Sequence, residues 1–239
     1  MFDKATRQRI RQASLASYWL RRCLTPYSSQ ITRDQFVLDV GSGDSPYKDL
    51  WKHARYLAID LTNQGADVLG DICHLPVKSN SVDLVVCTEV LEHVFNTDKA
   101  LVELNRVLKG GGRLVLSTPL IMGEHEAYDY YRFTSACLVQ QVQANGFEVV
   151  QVSKRGGSFS CLGLLLTHLP GQIIGKRGVD CSAQLDCQRP FRQLNILWLY
   201  LALAFQISLR VFVYLDRLDV KKHFTLGYVV LCSKRKYRV

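Results

Sequence analysis

Residues 37–47 read VLDVGSGDSPY: an apolar run ends in Asp39, and Gly41 and Gly43 then flank a serine. A loop of this kind cradles a phosphate, holds a nucleoside or simply turns a corner. A dinucleotide fingerprint needs G-x-G-x-x-G, with a third glycine for close helix–strand packing beside a pyrophosphate. Here the third glycine is replaced by Pro46, and the G-K-[ST] ending of a phosphate loop is absent. Asp39 repels pyrophosphate and attracts a cation. Two further acids, Asp60 at the end of YLAID and Asp71 in GDI, follow apolar runs in the same way. Singly, Asp60 reads as a helix cap and Asp71 as a turn residue. Together, at strand ends along one edge of a parallel sheet, the three acids read as a ligand site, because that edge is where such sheets bind ligands.

A second constellation is PLIMGEHEAYDYYRFT (119–134), dense in titratable and aromatic side chains. Histidine titrates nearest neutrality, so His125 is the candidate general base. Glu126 or Asp129 is placed to orient it, and Tyr130, Tyr131 and Arg132 to line a substrate pocket. The plain alternative is a surface loop with Arg132 paired to Asp129. In LEHV (91–94), His93 reads as a packed or capping histidine and Glu92 as part of a solvated helix face.

The elements that must position these residues follow from periodicity. Residues 4–24 read as an amphipathic helix, and FVLDV (36–40) as a short buried strand. SPYKDLW begins a helix with Ser45 as N-cap and Pro46 at its first position. YLAID (56–60), ADVLGDI (66–72) and SVDLVVCTEV (81–90) are strands, residues 102–109 a helix and GRLVLSTP (112–119) a strand. A helix over 135–147 stops at Asn145-Gly146, FEVVQVS (147–153) is a strand, and FTLGYVVLCSK (224–234) is the last. Strands alternating with helices predict an α/β fold, a doubly wound, mostly parallel seven-stranded sheet. The expected organisation is a basic N-terminal helix (1–25), a core (26–155), an apolar helical insertion (156–222), and a final strand with a basic tail (223–239).

Composition narrows the classes. At 239 residues with 48% hydrophobic content, the chain is globular rather than fibrous or disordered. Its eight cysteines form no C-x-x-C pair, so neither a zinc site nor a disulfide framework is expected and a reducing cytoplasmic compartment is. The basic N-terminus lacks the apolar core and cleavage site of a signal peptide. The net charge of +9 is uneven. Residues 26–149 hold ten bases and sixteen acids, whereas residues 150–239 hold fourteen bases and four acids. Basic ends suit an anionic partner, a phospholipid surface or nucleic acid.

S-adenosylmethionine carries a sulfonium and an ammonium group and no phosphate, and of the ligands considered it suits the glycine loop best. VLDVGSGDSPY, YLAID, GDICHLPVKSNSVDLVVCTEVLEHV and LNRVLKGGGRLVLSTP, in this order and spacing, resemble the class I S-adenosylmethionine-dependent methyltransferases, type 11 domain branch. That branch includes quinone-biosynthesis and cell-envelope glycan enzymes. The likeness covers roughly residues 36–153 and the last strand. It implies a Rossmann-like methyltransferase fold in which Asp39, Gly41 and Gly43 hold the methionine end. It also implies that Asp60 accepts hydrogen bonds from both ribose hydroxyls, that Asp71 and the Ile72 backbone meet the adenine amino group, and that Thr88 and Glu89 border methionine and substrate. Ser45 stands where many members have a third glycine. The 119–134 segment is similar to segments of the glycan-cluster members, which makes His125, Glu126, Tyr130 and Tyr131 the candidate catalytic set.

Two apolar stretches, 158–175 and 194–215, interrupt the α/β rhythm. The second is long enough to span a bilayer, but Asn195, Gln206 and Arg210 interrupt it. A last strand at 224–234 also requires the chain to enter and leave on one side. A helical hairpin is expected, covered by the chain's own sheet, by a second subunit or by an anionic membrane surface. The expected function is transfer of a methyl group to an oxygen, nitrogen or carbon of a lipid-linked, quinone-like or cell-envelope glycan acceptor at the cytosolic membrane face. The alternatives are an RNA methyltransferase and a non-catalytic cofactor-binding module. The basic residues lie beside leucine-rich runs rather than among aromatics suited to base stacking, which disfavours nucleic acid.

Overall fold

FVLDV and VDLVVCT are apolar at nearly every position, as strands covered on both faces must be. They form the centre of the sheet in the computed structural model of the chain. The structure describes residues 14–62, 65–125, 127–174 and 210–235, without the side chains of 167–174. These residues fall into two compact units, one of residues 20–155 with 226–235, the other of residues 14–19 with 156–174 and 210–225.

The first unit is the sheet. Its strands are β1 (Phe36–Val40), β2 (Arg55–Asp60), β3 (Val68–Leu69), β4 (Val82–Thr88), β5 (Leu108–Pro119), β6 (Phe147–Arg155) and β7 (Gly227–Lys234). They lie in the order β3-β2-β1-β4-β5-β7-β6. β7 runs antiparallel to both its neighbours, and every other pairing is parallel. Both faces are apolar. On one, Leu38, Ile59, Val85, Cys87, Leu114 and Leu116 pack under helices α3 (Thr97–Val107) and α4 (Ser135–Ala144), whose Leu101, Leu104, Leu138 and Val142 are fully buried. On the other, Val37, Leu84, Val86 and Val229 pack with Leu20, Leu24 and Tyr27 of α1 (Leu15–Ser28) and with Trp51. Successive strand residues alternate between these two cores, so a one-residue slip would exchange them. β1 has β2 on one side and β4 on the other, so strand order reverses there and a crevice opens beyond its carboxyl end.

Several boundaries differ from those expected. α3 begins five residues early because Asn96 caps it, its side chain accepting from Lys99 N at 3.0 Å. Thr134 caps α4 in the same way, through Cys137 N. Ser45 is not an N-cap: its φ of 51° lies in the left-handed region, and the short helix α2 (Lys48–Trp51) starts three residues later. ADVLGDI supplies only Val68 and Leu69 to the sheet, since Gly70 and Asp71 turn away toward His74.

In the second unit, α5 (Ser158–Ile174) packs against α6 (Arg210–Leu215), with Gly163 so near the Phe212 ring that a Cβ would lie 3.0 Å from it. These are the described parts of the two stretches expected to form a hairpin. The rest of the 194–215 stretch and residues 1–13 of the expected N-terminal helix lie outside the described residues. No helix among the described residues is long and apolar enough to cross a membrane.

Candidate functional site at the carboxyl edge of the sheet

The turn after β1 is built from left-handed residues at alternate positions. Gly41, Gly43 and Ser45 have φ of 68°, 51° and 51°, conformations that cost a side chain free energy and cost glycine almost none. Gly41 has a second reason: a Cβ there would sit 2.3 Å from Val90. At Gly43 a Cβ would meet nothing within 4 Å, so the turn faces open space where a ligand can approach the backbone. The amides of Gly41 and Ser42 are held by the Ile59 carbonyl, at 2.8 and 3.1 Å.

Asp39 is buried beneath this turn and accepts a 2.5 Å hydrogen bond from the Tyr56 hydroxyl. Burial pushes its carboxyl up to about 7, and nearby Asp60 adds to the rise; the Tyr56 bond and Lys48 oppose it. Asp60 stands at the tip of β2, one oxygen accepting from Gly43 N at 2.8 Å and the other from Thr62 N and Oγ1 at 2.9 Å. Each carboxylate oxygen has two lone-pair sites, so Asp60 ties the turn and still has acceptor capacity. Asp71 is exposed, accepting from Cys73 N at 2.8 Å, and Ile72 is buried behind it. Thr88 ends β4, and Glu89 follows with φ 55°.

Glu89 is held hard. Its two oxygens accept from Ser117 Oγ at 2.8 Å and from Arg155 Nη2 at 2.9 Å. Arg155 comes from the far end of β6, is buried, and also donates to the Thr118 carbonyl at 3.0 Å. Nothing in the spacing of the sequence announces this pair, because strand order alone brings residues 89 and 155 together.

Glu92 corrects the sequence expectation of a solvated face. It is fully buried, on the single 3-10 turn Leu91–His93, and neither carboxyl oxygen has a hydrogen-bond partner among the described residues, although His93 Nε2 lies 3.9 Å from Oε1. Burial pushes its pKa up to about 9, with Glu89 adding to the rise and Arg155 and Arg132 opposing it. The turn is only three residues long, so the helical wheel that suggested exposure does not apply. In the unfolded chain the same carboxyl titrates near 4.5. Between pH 5 and 9 the unfolded state therefore loses a proton that the folded state keeps, and stability falls as pH rises. Glu92→Gln is expected to melt higher than the parent, by a margin that is negligible at pH 4.5 and grows toward pH 8, where it is worth on the order of 2 kcal/mol. Calorimetry across that range checks it; a margin independent of pH means that the carboxyl is ionised in the fold.

The 119–134 segment lies against this turn. The Glu92 carbonyl accepts from Tyr130 N at 2.8 Å, and His93 Nδ1 donates to the Tyr128 carbonyl at 2.6 Å. His93 is thus a packed histidine, as expected, and its ring meets the His125 ring edge-on, with centroids 5.0 Å apart. His125 is exposed, with Nδ1 3.2 Å from both Asp129 Oδ2 and the Gly123 carbonyl. Asp129 also receives both Nη groups of Arg132, which hold its carboxyl down at about 2. The plain pairing and the orienting acid therefore coexist in one triad, His125–Asp129–Arg132. Tyr131 donates to the Phe95 carbonyl at 2.9 Å, and the rings of Phe95, Tyr130 and Tyr128 form an exposed string. Glu126 lies outside the described residues. Among the described residues no group of acids, histidines and cysteines has metal-site geometry.

A doubly wound seven-stranded sheet with β7 reversed and a left-handed glycine turn after β1 make a Rossmann-like methyltransferase fold. Residues 38–116 match the family model described as "Methyltransferase domain", type 11. An uncharacterized protein of Methanocaldococcus jannaschii is 32% identical over 129 residues, covering 49% of this chain and 57% of that protein. The ubiquinone/menaquinone biosynthesis C-methyltransferase UbiE of Psychromonas ingrahamii is 39% identical over 117 residues, 48% of this chain and 43% of that enzyme. The chain thus spans about half the length of the curated relatives it matches. Among solved structures, a SAM-dependent methyltransferase from Archaeoglobus fulgidus shares the fold with a TM-score of 0.56 at 14% identity, covering 90% of this chain and 93% of that one.

Proposed function

We propose that the chain binds S-adenosylmethionine at the carboxyl edge of the sheet and transfers its methyl group to an acceptor presented by residues 119–134. The observation that carries this reading is the glycine turn, open to a ligand, with Asp39 buried beneath it and Asp60 bonded to its Gly43 amide. Asp39 and the turn amides receive the methionine end, Asp60 the ribose hydroxyls, Asp71 with Ile72 the adenine edge, and Thr88 and Glu89 border the methyl group. The donor set fits the cofactor, since buried Asp39 sits where an ammonium would offset its desolvation. When bound, S-adenosylmethionine supplies a methyl group on a sulfonium that is already a leaving group. The chain's own work is alignment, exclusion of water and proton removal. His125, oriented by Asp129, takes the acceptor proton, and Tyr130 and Tyr131 line its path. An acceptor with a planar, apolar ring suits the Phe95–Tyr130–Tyr128 string, which favours the quinone-like, lipid-linked class at the cytosolic face of a membrane. The UbiE relative supports that choice.

Two results are expected. Because Asp39 titrates near 7 when empty, a bound cation draws its pKa down and expels a proton. Affinity for S-adenosylmethionine should therefore rise up to ~10-fold per pH unit below 7 and level off above 8. Calorimetry in buffers of different ionisation enthalpy reads the proton directly, and its absence removes Asp39 from the site. His125→Ala should lower methyl transfer to quinol acceptors by ~10²–10⁴-fold with cofactor affinity kept. Near-normal turnover in that variant assigns the base to another group.

A further inference from the structure

We propose that the turn following α6, residues 214–224, is a docking tip for an anionic lipid bilayer. Four large apolar side chains stand out from it, Tyr214, Leu218, Val220 and Phe224, with 65%, 73%, 88% and 61% of their surface in water. Isolated exposed leucines need no explanation, but four large apolar side chains exposed within eleven residues are a concentration that does. Val211, at 53%, extends it along α6.

The two acids of the same turn are engaged within the fold, whereas most of its bases are exposed. Its two acids face inward onto the start of α5. Asp216 is buried and accepts from Gly157 N at 2.8 Å, Phe159 N at 3.0 Å and Ser160 N at 3.1 Å. It also accepts from Ser160 Oγ, which in turn receives Trp19 Nε1 at 2.7 Å. Asp219 accepts from Ser158 N at 2.7 Å and Lys222 N at 2.9 Å. Both carboxylates are thus used up in capping the N-terminus of a seventeen-residue helix, where negative charge is stabilised. Three bases, Arg210, Arg217 and Lys221, are exposed, with the Arg217 guanidinium over the Tyr214 ring at 4.8 Å, whereas Lys222 lies over the Trp19 ring at 5.5 Å.

The outward surface is therefore apolar at its tips and cationic between them. That pairing suits the interface of a bilayer carrying anionic headgroups, where apolar tips enter the acyl boundary and each nearby base adds electrostatic attraction. A nucleic acid would match the bases but leave Leu218, Val220 and Phe224 in water. A second copy would set cation against cation. The inference does not depend on the cofactor or the acceptor.

The test is sedimentation of the full chain with vesicles of phosphatidylcholine alone or with phosphatidylglycerol added, at low and high salt. The expected result is co-sedimentation with the anionic vesicles only, reversed by salt. Two double variants locate it. Val220→Asp with Phe224→Asp abolishes binding to the anionic vesicles, and Arg217→Glu with Lys221→Glu lowers it at least ~10-fold. Melting temperature and S-adenosylmethionine affinity, read on the same variants, stay at parental values and show that the fold is intact. The proposal is overturned if the parent ignores anionic vesicles or if it binds neutral ones equally. It is also overturned if either variant binds as the parent does, or if the apolar variant instead converts a parental dimer to a monomer.

Discussion

Asp60→Ala is expected to weaken S-adenosylmethionine binding at least ~100-fold while leaving the sheet folded. The residue has two duties in the structure. Its Oδ2 pins Gly43 N at 2.8 Å and so shapes the turn, and its Oδ1 holds Thr62. The remaining lone pairs are those proposed to meet two ribose hydroxyls. Hydrogen bonds to a charged group contribute ~1.5–3 kcal/mol each, so losing two costs about two decades of affinity. The fold depends on Asp60 far less, because it caps a strand end at the edge of the crevice rather than filling the core. Asp60→Asn separates the duties: it keeps one acceptor oxygen for the turn but offers a donor where a bidentate acceptor is required. Titration calorimetry with S-adenosylmethionine and with S-adenosylhomocysteine measures both variants. An alanine variant that is folded and binds within about threefold of the parent would falsify the ribose assignment.

The second large effect lies far from any motif. Gly227 opens β7 opposite Pro119 of β5 and Arg155 of β6. A Cβ there would stand 2.3 Å from Arg155 Nη2, 2.3 Å from the Thr118 carbonyl oxygen and 3.0 Å from Pro119 Cα. Two of those three are backbone atoms inside the sheet and cannot give way. Gly227→Ala must therefore push β7 from β5 or push Arg155 out of its bonds to Thr118 and Glu89. The first costs packing, and the second leaves the half-buried Glu89 carboxylate without its cation. The expected loss is ~3 kcal/mol or more in urea unfolding, together with weakened cofactor binding through Glu89. Arg155→Met separates the parts, since it spares the sheet and removes only the cation. A Gly227→Ala protein with the parental urea midpoint would mean that the strands sit farther apart than described.

These two residues mark the boundary of what could be read from the chain. Asp60 was legible because its signal is local: an apolar run, an acid at its end, and the same pattern at Asp39 and Asp71. The fold class was legible for a related reason, since strands such as FVLDV and VDLVVCT must be covered on both faces and so demand a doubly wound sheet. The glycine turn was legible too, because Gly41 and Gly43 have the only side chain that enters left-handed backbone at little cost. Ser45 was misread, since its local cue, a serine before a proline, is also satisfied by a third left-handed residue in the same turn.

Glu92 and Arg155 could not be read correctly. Glu92 sits in a four-residue window with charged neighbours, and its burial comes from the 119–134 segment laid over it through the Tyr130 amide. Arg155 is sixty-six residues from Glu89 in the chain and reaches it because β7 inserts between β5 and β6 in reversed direction. The inward-turned Asp216 and Asp219 are of the same kind, counted as charge in the sequence and spent as helix caps in the fold. By itself the sequence determined the sheet, its glycine turn and the acids at the strand tips, because each follows from residue type and near spacing. The tertiary structure decided which carboxyls are ionised, which are held neutral and which way the charges of the α6 turn face. Those depend on burial and on partners brought together only by strand order.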